Sequence, residues 1–158
     1  MLRVLATSKP GGRLLELGTG TGLSTAWLLD GMDQAARLIT VDVDPGPQAV
    51  AREILGGDVR LEIVTADAAV FLDQQAGEMF DLIFADAMPG KYEVLDKALA
   101  LLKPGGLYVI DDMLPQENWP ESHAGKVPAL VADLASRKEF RIVSLAWSSG
   151  LVVVARRP

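Results

Sequence analysis

The sequence predicts a doubly wound α/β domain, with a mainly parallel sheet and helices on both faces. Three observations predict it. Short apolar runs of strand length alternate with helical patterns through five units, and such alternation requires parallel strands joined by crossover helices. The first run, Arg13–Leu17, passes directly into a glycine-rich turn, Gly18-Thr19-Gly20-Thr21-Gly22. The last two runs, Phe140–Leu145 and Leu151–Ala155, are separated by five residues around Ser148-Ser149-Gly150, the spacing of a hairpin.

Arg13–Leu17 follows the turn signal Pro10-Gly11-Gly12, and Leu23–Asp30 continues from the glycine turn as a helix. Leu38–Val43 is a second strand. Asp44-Pro45 then has the form of an N-cap with proline at the first helical position, and the helix runs to Leu55 before Gly56-Gly57. Val59, Leu61 and Ile63 alternate with Arg60 and Glu62, the pattern of a half-exposed strand at a sheet edge. Asp67–Gln75 is a short helix, and Phe80–Ala85 a strand buried on both faces. Tyr92, Leu95, Leu99 and Leu102 step along one helical face, ended by Lys103-Pro104-Gly105-Gly106 and followed by the strand Leu107–Ile110. Met113–Ala124 is irregular and holds Trp119 and the only histidine, His123. A helix with Val127, Leu130, Val131 and Leu134 inward precedes the hairpin.

At 158 residues the chain is one domain, 1–158, long enough to bury a core. A hydrophobic fraction of 49% with 23% charged residues is that of a globular protein. The absence of cysteine excludes disulfides and zinc–thiolate sites. A net charge of −6 weighs against a nucleic-acid partner. No apolar run approaches the ~18 residues needed to span a bilayer, and Met1–Arg13 shows no export signal. The expectation is a soluble, cytoplasmic domain without a membrane partner.

Seven acidic residues fall where strands run out: Glu16, Asp42, Asp44, Asp67, Asp86, Asp111 and Asp112. Ligands of open α/β sheets bind outside the carboxyl ends of the strands. So acidic a rim favours a polar, partly cationic ligand. The glycine spacing also departs from the dinucleotide pattern, because Leu23 stands at the third glycine position and Glu16 would repel a pyrophosphate. Asp42, twenty residues past Gly22, is placed to accept hydrogen bonds from two ribose hydroxyls. Asp44 and Asp67 serve equally well as helix N-caps, and Thr21 and Ser24 as partners for free N–H groups at a helix start.

The stretch Leu14-Leu15-Glu16-Leu17-Gly18-Thr19-Gly20-Thr21-Gly22 resembles the first motif of class I S-adenosylmethionine-dependent methyltransferases. Asp42 matches the ribose-binding acid of that family, Thr65-Ala66-Asp67-Ala68 resembles its segment beside the adenine, and Pro104-Gly105-Gly106 its turn before the fifth strand. The resemblance implies a seven-stranded sheet ordered 3-2-1-4-5-7-6 with strand 7 antiparallel. It implies S-adenosylmethionine as cofactor, held by Glu16, Gly18, Thr19, Gly20, Thr21, Gly22, Ser24, Asp42, Val43, Asp67, Ala68 and Asp86.

Within the family, Phe80–Ala87 and Tyr108–Asp112 resemble the catechol and caffeoyl-coenzyme A type O-methyltransferases. There a divalent ion binds two aspartates and an asparagine and chelates two substrate oxygens. The resemblance thus implies Asp86, Asp111 and Asp112 as ligands of Mg²⁺ or Ca²⁺, with Asp112 in place of the asparagine. Pro89 replaces the family's lysine, while Lys91 stands beside Tyr92, and few residues precede Arg13 to cover the active site. Asp86, Lys91 and His123 are the candidate general bases if no metal assists. Trp119 is a candidate wall for an aromatic acceptor, and Trp27 and Trp147 are expected to be packing residues. The leading expectation is methyl transfer from S-adenosylmethionine to an oxygen of a small-molecule acceptor. A nitrogen, carbon or other acceptor without metal, and a cofactor-binding module without turnover, are the alternatives. A homodimer that completes the pocket is compatible with the sequence.

Overall fold

A computed structural model describes residues 1–77, 79–116, 119 and 121–158, with the side chains of 121–124 outside the description. Seven strands form one sheet in the order β3-β2-β1-β4-β5-β7-β6. They are β1 (Arg13–Leu17), β2 (Arg37–Asp42), β3 (Leu61–Thr65), β4 (Phe80–Ala85), β5 (Leu102–Ile110), β6 (Phe140–Leu145) and β7 (Leu151–Arg156). The first five pair in parallel, and β7 runs antiparallel between β5 and β6. This is the order and the reversed strand that the resemblance implied.

Among the described residues six helices surround the sheet: α1 (Leu2–Thr7), α2 (Leu23–Gly31), α3 (Pro45–Leu55), α4 (Ala68–Asp73), α5 (Leu95–Ala100) and α6 (Glu121–Ser136). Successive side chains of a strand face opposite ways, so the central strands feed two separate cores. Ile83 and Ala85 of β4 join Leu15, Tyr108, Phe71, Leu99 and Leu134 on one face. Leu82 and Phe84 join Leu14, Leu28, Leu38 and Ala6 on the other. No described helix is long and apolar enough to cross a membrane.

Several local features differ from the sequence expectation, and one is that α6 begins at Glu121, inside the stretch Met113–Ala124 expected to be irregular. A helix, α1, precedes Arg13. It lies against α2 through the Arg3–Asp30 ion pair and a bond from Thr7 Oγ1 to the carbonyl of Gly31, both at 2.9 Å. The helical face from Tyr92 to Leu102 shrinks to α5, because Val94 adopts the left-handed conformation at φ +50° and leaves Tyr92 on a loop. Lys103–Gly106 does not separate a helix from a strand. These residues lie within β5, where the register with β4 shifts between Phe80 and Leu82, and Pro104 lacks the N–H that a regular ladder requires.

Candidate active site

The carboxyl ends of β1, β2 and β3 lie side by side, and the glycine turn leaves β1 there. Gly18 donates to the Val41 carbonyl at 2.9 Å, continuing the ladder one residue beyond the strand. Its φ is +106°, and a Cβ would stand 3.1 Å from the backbone of Asp86, so only glycine fits. Gly22, also at positive φ, is the N-cap of α2. Gly20 donates to Asp42 Oδ2 at 2.9 Å, and Asp44 N–H donates to Asp42 Oδ1 at 3.0 Å. Asp42 therefore locks the turn to the end of β2, and each of its oxygens retains capacity to accept another bond.

Beneath the turn runs a chain of polar side chains, from the exposed Arg52 and Thr65 inward to the buried Gln48, Thr19, Thr40 and Glu16. Arg52 donates to Thr65 Oγ1 at 2.9 Å, and Thr65 donates to Gln48 Oε1 at 2.5 Å. Gln48 Nε2 donates to Thr19 Oγ1 at 2.9 Å. Thr19 and Thr40 share a bond of 2.7 Å, and Thr40 donates to Glu16 Oε2 at 2.6 Å. Thr40 gives its one hydrogen to Glu16, so the hydrogen in the Thr19–Thr40 bond is donated by Thr19. Thr25 also donates to Glu16 Oε2. Glu16 is fully buried, and its Oε1 has no hydrogen-bond partner among the described residues. Burial pushes its pKa up to about 7, against the pull of the Ser24, Thr25 and Thr40 hydroxyls and with a further push from Asp86.

Two adjoining hollows open at this rim, of about 280 and 90 Å³. The larger is lined by Gly18, Thr19, Gly20, Thr21, Ser24, Asp42 and Asp86. The smaller continues past Asp42 and Val43 to Asp67 and Ala68. Asp67 caps α4, accepting from Ala69 N at 2.8 Å and Val70 N at 3.1 Å, and Asp44 caps α3 through Gly46 N at 2.8 Å. Of the residues expected at the cofactor, Glu16 and Gly22 do not line either hollow. Glu16 sits behind the turn, and the charge that the sequence suggested for the rim is withdrawn into the core. The Thr19–Thr40–Gln48 relay was missed. Its available signal was the position of Thr40 directly beside Glu16 in the β1–β2 register.

Residues 15–113 match the model of a family described as a methyltransferase domain. A Mycobacteroides abscessus protein with the provisional name O-methyltransferase is 35% identical over an alignment of 168 positions, 99% of this chain and 77% of that one. The chain belongs to this methyltransferase family. The provisionally named O-methyltransferase of Mycolicibacterium vanbaalenii is 35% identical over 115 residues, 70% of this chain and 51% of that one. The chain thus spans about half the length of several curated relatives it matches. Among solved structures, cofactor-bound Rv0187 from MTB superposes with a TM-score of 0.86 at 25% identity, over 99% of this chain and 78% of that one. The O-methyltransferase from Bacillus cereus in complex with SAH gives 0.85 at 23% identity, over 99% and 79%, a likeness of fold.

In this methyltransferase domain the carboxylates of β4 and β5 are engaged separately. Asp86 Oδ1 lies 3.7 Å from Lys91 Nζ. Asp111 Oδ1 accepts from Ser149 Oγ at 2.5 Å and from Asp112 N at 2.7 Å. Asp112, at φ +61°, accepts from Trp119 Nε1 at 2.8 Å. Among the described residues no three acidic or histidine side chains gather closely enough to hold a metal ion. The set does not fit the divalent ion that the resemblance implied, since its three members turn to three different donors. Burial raises the Asp86 pKa to about 6; Lys91 opposes the rise, and Asp111 and Asp112 add to it. Lys91 is 3% exposed, so it meets Asp86 from inside the protein. The side chain of His123 lies outside the described residues. Trp27 and Trp147, expected in the packing, are 50% and 58% exposed.

Proposed function

We propose that the domain transfers a methyl group from S-adenosylmethionine to an oxygen of a small-molecule acceptor. The observation that carries this reading is the paired hollow over β1, β2 and β3. Among the described residues it is lined by Asp42, Asp67 and Asp86 and by no lysine or arginine. Such a lining suits a sulfonium and an ammonium and disfavours a pyrophosphate. A Cβ at Gly20 would meet nothing within 4 Å, so the turn faces open space wide enough for a ligand to lie against its main chain. Glu16, Gly22 and the buried relay then hold the shape of the turn, while Gly18, Thr19, Gly20, Thr21, Ser24 and Asp42 face the cofactor and Val43, Asp67 and Ala68 its adenine end.

Bound there, S-adenosylmethionine would supply an electrophilic methyl carbon and, as leaving group, a sulfur that keeps the electron pair of its broken bond. Asp86 lines the larger hollow with a pKa of about 6. It takes the hydroxyl proton as general base, being mostly ionised at neutral pH yet more basic than an ordinary carboxylate. Lys91 orients Asp86 and partly offsets the charge of Asp111 and Asp112 nearby. Alignment of acceptor and methyl carbon supplies the rest of the acceleration.

Calorimetry with S-adenosylmethionine, S-adenosylhomocysteine and NAD tests the reading. The first two bind and NAD does not. Failure of both to bind, or tighter binding of NAD, refutes it.

A further inference from the structure

A cavity of about 280 Å³, as large as the bigger cofactor hollow, opens toward the opposite end of β1, β2 and β3 from the glycine turn. Three arginines line it, Arg13, Arg37 and Arg60, against one carboxylate, Glu62; its other lining residues are apolar. Arg13 and Arg37 are direct partners in the β1–β2 register. Arg60 precedes β3, and its carbonyl accepts from Leu38 N at 2.9 Å. Adjoining strands lie ~4.8 Å apart, and like charges set directly opposite each other destabilise a sheet. In a chain of net charge −6 such a row of guanidiniums is an anomaly.

Nearby carboxylates do not neutralise it. Asp81 Oδ2 accepts from the main-chain N–H of Arg13 and from Lys103 Nζ, both at 2.8 Å. Asp58 pairs with Arg60 at 2.6 Å. Glu62 is the register partner of Ile39, two positions along β2 from Arg37. Among the described residues Arg13, Arg37 and Glu62 form no ion pair. Three guanidiniums against Asp58 and Glu62 leave one positive charge uncompensated. Each guanidinium is nonetheless anchored. Arg37 Nη1 donates to the carbonyls of Gln34 at 3.1 Å and Ala36 at 2.7 Å, which leaves Nε and Nη2 without an acceptor among the described residues. Arg13 stands over the Phe80 ring, 5.7 Å from its centroid. Arg60 is engaged by Asp58 and the Met32 carbonyl and serves as a wall.

We propose that this cavity is a second ligand site, which takes a small phosphorylated molecule by its phosphate between Arg13 and Arg37. The ligand class follows from the donors. A carboxylate has two oxygens and is satisfied by one guanidinium fork, whereas a phosphate monoester offers three and can bridge two. Ile39 and Val59 give the attached group an apolar side to rest on. The bound dianion also offsets the like charges across β1 and β2. A concave site of this size suits a metabolite better than a protein or nucleic-acid chain. The site is independent of the methyl-transfer reading.

The test uses the full chain in chloride buffer, ¹⁵N-labelled, with the arginine Nε–H signals followed by NMR. Arg3→Gln, Arg13→Gln, Arg37→Gln and Arg137→Gln assign four of them. Inorganic phosphate and glycerol 3-phosphate move the Arg13 and Arg37 signals saturably, while those of Arg3 and Arg137, each held by aspartate, stay in place. Acetate at equal ionic strength binds at least about tenfold more weakly. The phosphate affinity falls at least about tenfold in Arg13→Gln, read at Arg37, and in Arg37→Lys, read at Arg13, which keeps the charge and loses the fork. The S-adenosylhomocysteine affinity is unchanged in both. Arg13 carries no side-chain bond to the main chain, so its variant decides the matter if the Arg37 variants do not fold. The proposal is overturned if acetate binds as well as phosphate, if Arg13→Gln leaves phosphate binding intact, or if Arg37→Lys binds phosphate like the parent. It is also overturned if an oligoglutamate peptide or an oligothymidylate binds the two arginines more tightly than glycerol 3-phosphate, which would make the row a surface for a protein or a nucleic acid. Failure of S-adenosylhomocysteine to bind leaves this site untouched, so the two readings fall separately.

Discussion

Replacing Glu16 by glutamine isolates the energetic cost of a carboxylate buried beneath the glycine turn. The group is fully buried, with one oxygen held by Thr25 and Thr40 and the other without a bond among the described residues. Its pKa rises from an ordinary 4.5 to about 7. At about 1.4 kcal/mol for each pH unit, that corresponds to roughly 3 kcal/mol. The sign follows from which state holds the proton more tightly. The folded protein does, so this stabilisation is fully present below about pH 4.5 and is lost as the pH rises through about 7. Glutamine keeps the acceptor oxygen for the two threonines and does not titrate. Any fixed cost of burying its amide group is the same at every pH. The difference in unfolding free energy between Glu16→Gln and the parent should therefore move in favour of the variant by up to about 3 kcal/mol between pH 4.5 and 8. Urea unfolding at several pH values across that window measures it, and titrations common to both proteins cancel. A difference that stays constant with pH, or moves against the variant, refutes the burial account of Glu16.

Three further outcomes are expected. The affinity for S-adenosylmethionine, measured by calorimetry, rises as the pH passes about 6 and Asp86 ionises; Asp86→Asn removes the rise, and Lys91→Met moves it to higher pH because the opposing ammonium is gone. Asp67→Ala, which removes the α4 cap, lowers stability by about 1 kcal/mol in urea unfolding. Gly18→Ala forces a side chain at φ +106° against the backbone of Asp86; it destabilises by more than about 1 kcal/mol and abolishes S-adenosylmethionine binding by calorimetry.

The strands and the turn chemistry were readable because they follow local rules. β4 and β6 have the bounds that their apolar runs predict, and Asp44 and Asp67 cap helices as their types suggest. What escaped depends on contacts between distant residues. α1 has six residues, no side-chain cap and no acidic first turn, so only its packing on α2 makes it a helix. The Tyr92–Leu102 periodicity failed at Val94, where a β-branched residue takes a conformation its type disfavours. Glu16 looked like a ligand contact because a charge at a strand end usually faces solvent. It is buried because hydroxyls from α2 and β2 converge on it. Trp27 and Trp147 are 120 positions apart in the chain, and only the fold brings them to one cavity.

The relay from Arg52 to Glu16 has a direction. Thr65, Gln48, Thr19 and Thr40 each pass a hydrogen one step toward Glu16, so one proton arrangement connects the whole line, and it ends on Oε2 while Oε1 has no bond among the described residues. A substitution at any link strands the donor on one side and the acceptor on the other, beyond the loss of its own bond. Thr19, Thr40 and Gln48 should therefore behave as one unit of heredity: changes at one position are tolerated when a matching change at the next restores the flow, and their single-site costs do not add.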